Sequence, residues 1–157
     1  MKTKSKVLRL AACIVLCELA GLIGAVFTTP AIPTWYASLA KPAFSPPNWL
    51  FAPVWTALFA LMGVSLYLAW SKGLTKSRMA AAAFAIQFAL NIGWSFLFFG
   101  LKSPLYAFAE IVMLWVSIAA TIALFWKLDR RAALMLVPYI CWVSFASLLN
   151  YAVWTLN

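Results

Sequence analysis

Met79–Leu101 reads MAAAAFAIQFALNIGWSFLFFGL, a stretch without a single charge. A helix needs ~20 predominantly apolar residues to cross a bilayer, and this run is long enough. It does not alternate apolar with polar residues, as a membrane β-strand would. Four comparable runs flank it: Leu10–Thr28, Trp49–Trp70, Leu105–Trp126 and Ala132–Trp154. Only Glu18 and Glu110 interrupt the set with charge. The expectation is an all-α membrane protein, a bundle of five transmembrane helices forming one domain over residues 1–157.

Composition agrees with the runs. Hydrophobic residues make up 66% of the chain and charged residues 10%, against ~45–50% and ~25% in soluble domains. A water-soluble domain of this size needs more polar surface than that, so lipid covers much of the exterior. Lys2, Lys4, Lys6 and Arg9 ahead of the first run could mark a signal peptide. That run is too long for a signal-peptide core and ends without a clear small-x-small site, so it reads as the first helix.

The net charge of +9 comes from cations in the gaps between runs, not from a basic face, and does not point to nucleic acid. Lys2, Lys4, Lys6, Arg9, Lys72, Lys76, Arg78, Lys127, Arg130 and Arg131 fall on one side of the expected bundle. Only Lys41 and Lys102 fall on the other. The positive-inside rule then predicts a cytoplasmic N-terminus in a cell (inner) membrane, with an outer or organellar membrane the alternative. The longest gap, Thr29–Asn48, lies on the opposite side. Its prolines, Pro30, Pro33, Pro42, Pro46 and Pro47, predict an extended, semi-rigid loop, and Trp35 and Tyr36 suit it to an interface or a lid.

Conventional catalytic sets are missing. Histidine is absent, and the acids are Glu18, Glu110 and Asp129. No zinc site, Ser-His-Asp triad or paired-carboxylate site can be assembled. The expectation is a protein without a required cofactor and without conventional enzyme machinery. Cys13, Cys17 and Cys141 form no disulfide framework and read as packing residues. Glu18 and Glu110, as intramembrane acids, are functional candidates, although two acids without a basic partner give little sign of a proton relay.

The third run has two faces. Ala81, Ala85, Ala89 and Gly93 form a small-residue stripe that serves either packing within the bundle or a dimer seam. Gln87, Asn91 and Trp94 lie elsewhere on the helix. Their amides should face protein or a cavity, as an interhelical hydrogen bond or a ligand contact. Helical rise places Trp55, Asn91 and Trp142 at similar depth, ~10–15 Å below the outer face. Aromatic walls with one or two amides describe a pocket for a flat, mostly apolar ligand. Trp49, Trp70, Trp126 and Trp154 sit near helix ends, as an interfacial belt would. Trp115, like Trp94, lies deeper.

The segments WYASLAKPAFSPPNWLFAPVWTALF (Trp35–Phe59), QFALNIGWSFLFFG (Gln87–Gly100) and PYICWVSFASLLNYAVW (Pro138–Trp154) resemble signatures of the translocator protein family. That family is also called tryptophan-rich sensory proteins or peripheral-type benzodiazepine receptors. The resemblance implies a five-helix bundle, commonly a homodimer, that binds tetrapyrroles such as protoporphyrin IX in a sensory, regulatory or porphyrin-handling role. It also implies sterol, isoquinoline and benzodiazepine-type ligands, and leaves open light-dependent porphyrin breakdown or transport. Carried over by motif, the pocket comprises Ala25, Tyr36, Phe51, Trp55, Asn91, Trp94, Trp142, Ala146 and Leu149. Tyr106 joins them where many members carry Trp. Animal members end the fifth helix with a cholesterol motif in which a basic residue follows Tyr and Trp. Asn150–Asn157 reads NYAVWTLN here and lacks that residue, which favours a porphyrin over cholesterol.

Overall fold

Each apolar run folds as a helix because a bilayer offers the backbone no hydrogen-bond partners. The computed structural model describes residues 3–157; Lys2, one of the N-terminal cations, lies outside them. Five helical spans are long and apolar enough to cross a membrane, and no strand occurs among the described residues. They are built from α1 (Thr3–Ala31), α2 (Phe51–Ser71), α3 (Arg78–Ser95), α4 (Pro104–Leu128), and α5 (Arg130–Met135) with α6 (Val137–Leu156). The last two form one span broken at Leu136. Pro138 lacks the N–H that would bond to Leu134 and crowds that carbonyl, so the helix restarts there.

The first span corrects the expectation of a loop from Thr29. Helix continues through Pro30 and then through one wide π-turn, Ile32–Tyr36. The Thr34 hydroxyl donates to the Pro30 carbonyl at 2.8 Å. Trp35 packs edge-on against Phe98 at 5.6 Å. Tertiary packing thus holds a turn that the prolines alone would open. A second π-turn, Phe96–Gly100, ends the third span. Side-chain oxygens of Ser77, Ser103 and Asp129 accept backbone N–H groups at the starts of α3, α4 and α5.

The helices close into a ring in the order α2, α1, α3, α4, then α5 and α6, which return to α2. This differs from simple sequential adjacency, because α1 stands between α2 and α3. The cause is Gly63. A Cβ there would lie 2.5 Å from the Ile14 Cα and 2.9 Å from the Cys13 carbonyl oxygen, so only glycine lets the two backbones approach this closely. Across the interior, α3 reaches α2 through Gln87, whose Nε2 donates to the Met62 sulfur at 3.7 Å. Ser65 ties α2 to α5 by donating to the Ala132 carbonyl at 2.7 Å.

The small-residue stripe divides. Gly93 faces the Glu110 carboxyl of α4 at 3.7 Å, measured from where a Cβ would be. Ala85 and Ala89 are exposed on the outside of the bundle. Trp49, Trp70, Trp126 and Trp154 are exposed near span ends, where an interfacial belt belongs.

Candidate functional site

Above the Gly63 crossing, the helices surround a cavity of about 370 Å³. That is within the usual ~300–1,000 Å³ of small-molecule sites. The wall residues come from all five spans, though none from the short α5. Ala25 and Tyr36 belong to the first span and Phe51 and Trp55 to α2. Asn91 and Trp94 come from α3, and Trp142, Ala146 and Leu149 from α6. Nine of the motif-derived residues therefore share one space. Tyr106 does not. It is 63% exposed and points outward, because its neighbour Ala107 is the residue α4 buries, and consecutive helical side chains diverge by about 100°.

The aromatic walls are ordered by mutual contacts. Trp55 stacks on Phe59 at 5.6 Å and meets the edge of Tyr139 at 6.3 Å. Phe51 meets Trp142 edge-on at 6.2 Å. Trp94 stacks on Phe98 at 5.1 Å. Such edge and offset contacts leave other ring faces free to meet a flat guest.

Asn91 makes the interhelical hydrogen bond and also faces the cavity. It lines the cavity, and its Nδ2 donates to the Tyr139 hydroxyl oxygen at 2.7 Å. That bond fixes which part of the amide is still available to a ligand. Gln87 is fully buried, does not reach the cavity, and leaves its carbonyl oxygen without a partner.

Asn150, not singled out from the sequence, is the other polar node. It accepts from Trp94 Nε1 at 3.0 Å and donates to the Pro104 carbonyl at 2.8 Å. One side chain of α6 thereby sets the Trp94 ring and the start of α4. Its position four residues before an exposed helix-end tryptophan, Trp154, gave only a weak sign of this. Glu18, Gly21, Gly24, Thr28 and Ser95 also line the cavity. Trp115 does not; its Nε1 donates to Ser144 on the outer face of the bundle at 2.8 Å. Glu110, which its nearness to a helix start would place within reach of water or a polar loop, is buried. Both of its carboxyl oxygens lack a partner.

The long loop frames the end of the cavity away from the N-terminus. Tyr36 and Asn48, at its two ends, line the cavity, and Phe44 packs edge-on against Phe145 of α6 at 6.3 Å. Asn157 fastens it: the Ala40 N–H donates to Asn157 Oδ1, and Asn157 Nδ2 donates to the Ala40 carbonyl, both at 3.0 Å. Leu22 and Thr29 of α1, with Ala52 and Thr56 of α2, line the cavity and are also exposed on the bundle surface. The space therefore opens sideways between α1 and α2.

Comparison with known proteins agrees with the motifs. The sequence model of the TspO/MBR family matches residues 13–155. The chain is 46% identical over 154 residues to the tryptophan-rich protein TspO of Chlorobaculum tepidum, covering 97% of this chain and 98% of that protein. It is 38% identical over 138 residues to the tryptophan-rich sensory protein of Cereibacter sphaeroides, covering 85% of each. With the translocator protein of Bos taurus it shares 36% identity over 143 residues, covering 89% of this chain and 85% of the bovine one.

Proposed function

The chain belongs to the TspO/MBR family, and from that premise we propose that its outer-half cavity binds a tetrapyrrole, protoporphyrin IX being the candidate. The role would be sensory, regulatory or porphyrin-handling. The observation that carries this reading is the convergence of Trp55, Trp94 and Trp142, from separate helices, on one apolar space. Indole faces supply stacking area, and apolar burial supplies most of the affinity. The opening between α1 and α2 suits a ligand that arrives from the lipid. No resident cofactor is needed for binding.

Titration of the purified protein with protoporphyrin IX should quench tryptophan fluorescence saturably. The Trp55→Ala, Trp142→Ala double variant should bind about tenfold or more weakly, given 0.5–1.5 kcal/mol for an aromatic pair beyond its area burial. Unchanged affinity would overturn the site.

The same indoles favour a second reading, light-dependent oxidative breakdown of the bound porphyrin, with the ligand's photochemistry carrying the hard step. Illumination should then yield a discrete product that the double variant does not form. Bleaching at equal rates in both proteins would reject it.

A further inference from the structure

The cavity has an acid in its wall and no base. Glu18 is the lining residue farthest from the loop along α1. It is half-buried, and among the described residues its carboxyl enters no hydrogen bond or ion pair. Among the described residues no Lys or Arg lines the cavity, and the chain has no histidine. The cation nearest the other end is already engaged: Lys41 lies 4.7 Å over the Tyr36 ring and donates to the Ala37 and Leu39 carbonyls.

Aromatic faces stand beside this acid. Gly21, one turn from Glu18, is in contact with Phe59; a Cβ there would come within 2.8 Å of the ring. Phe59 in turn stacks on Trp55. An unpaired carboxyl is expensive to keep at membrane depth, and its natural complement is a donor that brings its own positive charge. Aromatic faces attract the same group through their quadrupoles.

We propose that Glu18 is a ligand-binding residue and that the cavity accepts lipophilic amines. The amino group seats against the Glu18 carboxyl at the deep end, and the apolar body fills the space between Trp55 and Trp142. The pair is neutral overall whether the proton sits on nitrogen or on oxygen, so nothing charged is added to the membrane interior. The proposal rests on the reading of this cavity as the ligand site. It adds a ligand class that tetrapyrrole binding does not require.

The test uses the full chain in lipid nanodiscs with biphenyl-4-ylmethylamine and its uncharged analogue 4-ethylbiphenyl, followed by tryptophan fluorescence. Protoporphyrin IX serves as an independent probe of the cavity. The parent should bind the amine about tenfold or more tightly than the hydrocarbon, as a charge-assisted contact would give. In Glu18→Gln that ratio should fall to about one while 4-ethylbiphenyl still binds, and Glu18→Asp should retain part of it. Equal affinities for the two biphenyls in the parent would overturn the proposal, as would a preference that survives Glu18→Gln. If the amine preference depends on Glu18 but protoporphyrin IX fails to bind, the amine site stands and the tetrapyrrole reading falls.

Discussion

Glu110 isolates what one residue contributes. It is 5% exposed, both carboxyl oxygens lack partners, and it does not line the cavity. A buried polar group without a hydrogen bond costs ~1–3 kcal/mol. The bland glycine opposite, Gly93, gives it room rather than a partner. Replacing it by a similar-sized apolar residue removes the penalty without opening a cavity. Glu110→Leu should therefore stabilise the bundle by roughly 1–2 kcal/mol, read as a higher melting temperature in detergent, with porphyrin affinity intact. A destabilised variant would mean that the acid has a partner in the membrane. The comparison with Glu18 is instructive. The sequence offers two intramembrane acids of equal standing, and only the side each helix turns inward separates the one in the cavity wall from the one packed between helices.

At the scale of elements, glycine decides how closely α1 and α2 approach. Gly63 sits where α1 and α2 cross below the cavity floor, against the Ile14 and Cys13 backbones. Backbone cannot swing aside as a flexible side chain can, so an added methyl pushes the helices apart. Gly63→Ala should destabilise by ~1–3 kcal/mol, the usual scale of overpacking, with Gly63→Leu worse. Because α1 and α2 both wall the cavity, ligand affinity should fall as well. A Gly63→Leu protein with unaltered melting and binding would show that the crossing is looser than it looks. The crossing also marks where reading the sequence stops. Span positions follow from hydropathy, and depth follows from the helical rise, so Trp55, Asn91 and Trp142 were recoverable as a cluster. Azimuth and adjacency were not. Tyr106, carried over by motif, turns away from the cavity, α1 separates α2 from α3, and the π-turns that carry Trp35 and Phe98 pack those rings together. Asn150 was hidden for the same reason: its partners, Trp94 and Pro104, come from other helices.

For the molecule as a whole, the two ends and the outer surface carry the residues that bear on orientation and assembly. On the outer surface, Ala85 and Ala89 expose the part of the small-residue stripe that the bundle leaves unused, and we propose it as the seam of a homodimer. Ala89→Cys should form an intermolecular disulfide in membranes, whereas Cys141, exposed on α6, should not. No dimer band from Ala89→Cys would remove α3 from the seam. The ends differ in charge. Near the N-terminus lie Lys4, Lys6 and Arg9; at the same end Lys72 and Lys76 lie in the α2–α3 connection, Arg78 starts α3 and Lys127 lies in the last turn of α4. Moving such a cationic end across an energised membrane is opposed, so that end should stay in the cytoplasm of a cell membrane and the loop with Ala43 should face outward. Introducing single cysteines by Ala43→Cys and Thr75→Cys, both at exposed positions, tests this with a membrane-impermeant maleimide on intact cells. Cys13 and Cys17 are buried and Cys141 is exposed within the α6 span, so labelling of the parent is subtracted as the background. Ala43→Cys should label from outside and Thr75→Cys only after permeabilisation. The reverse pattern would invert the protein, and with it the side of the membrane on which the loop covers the cavity.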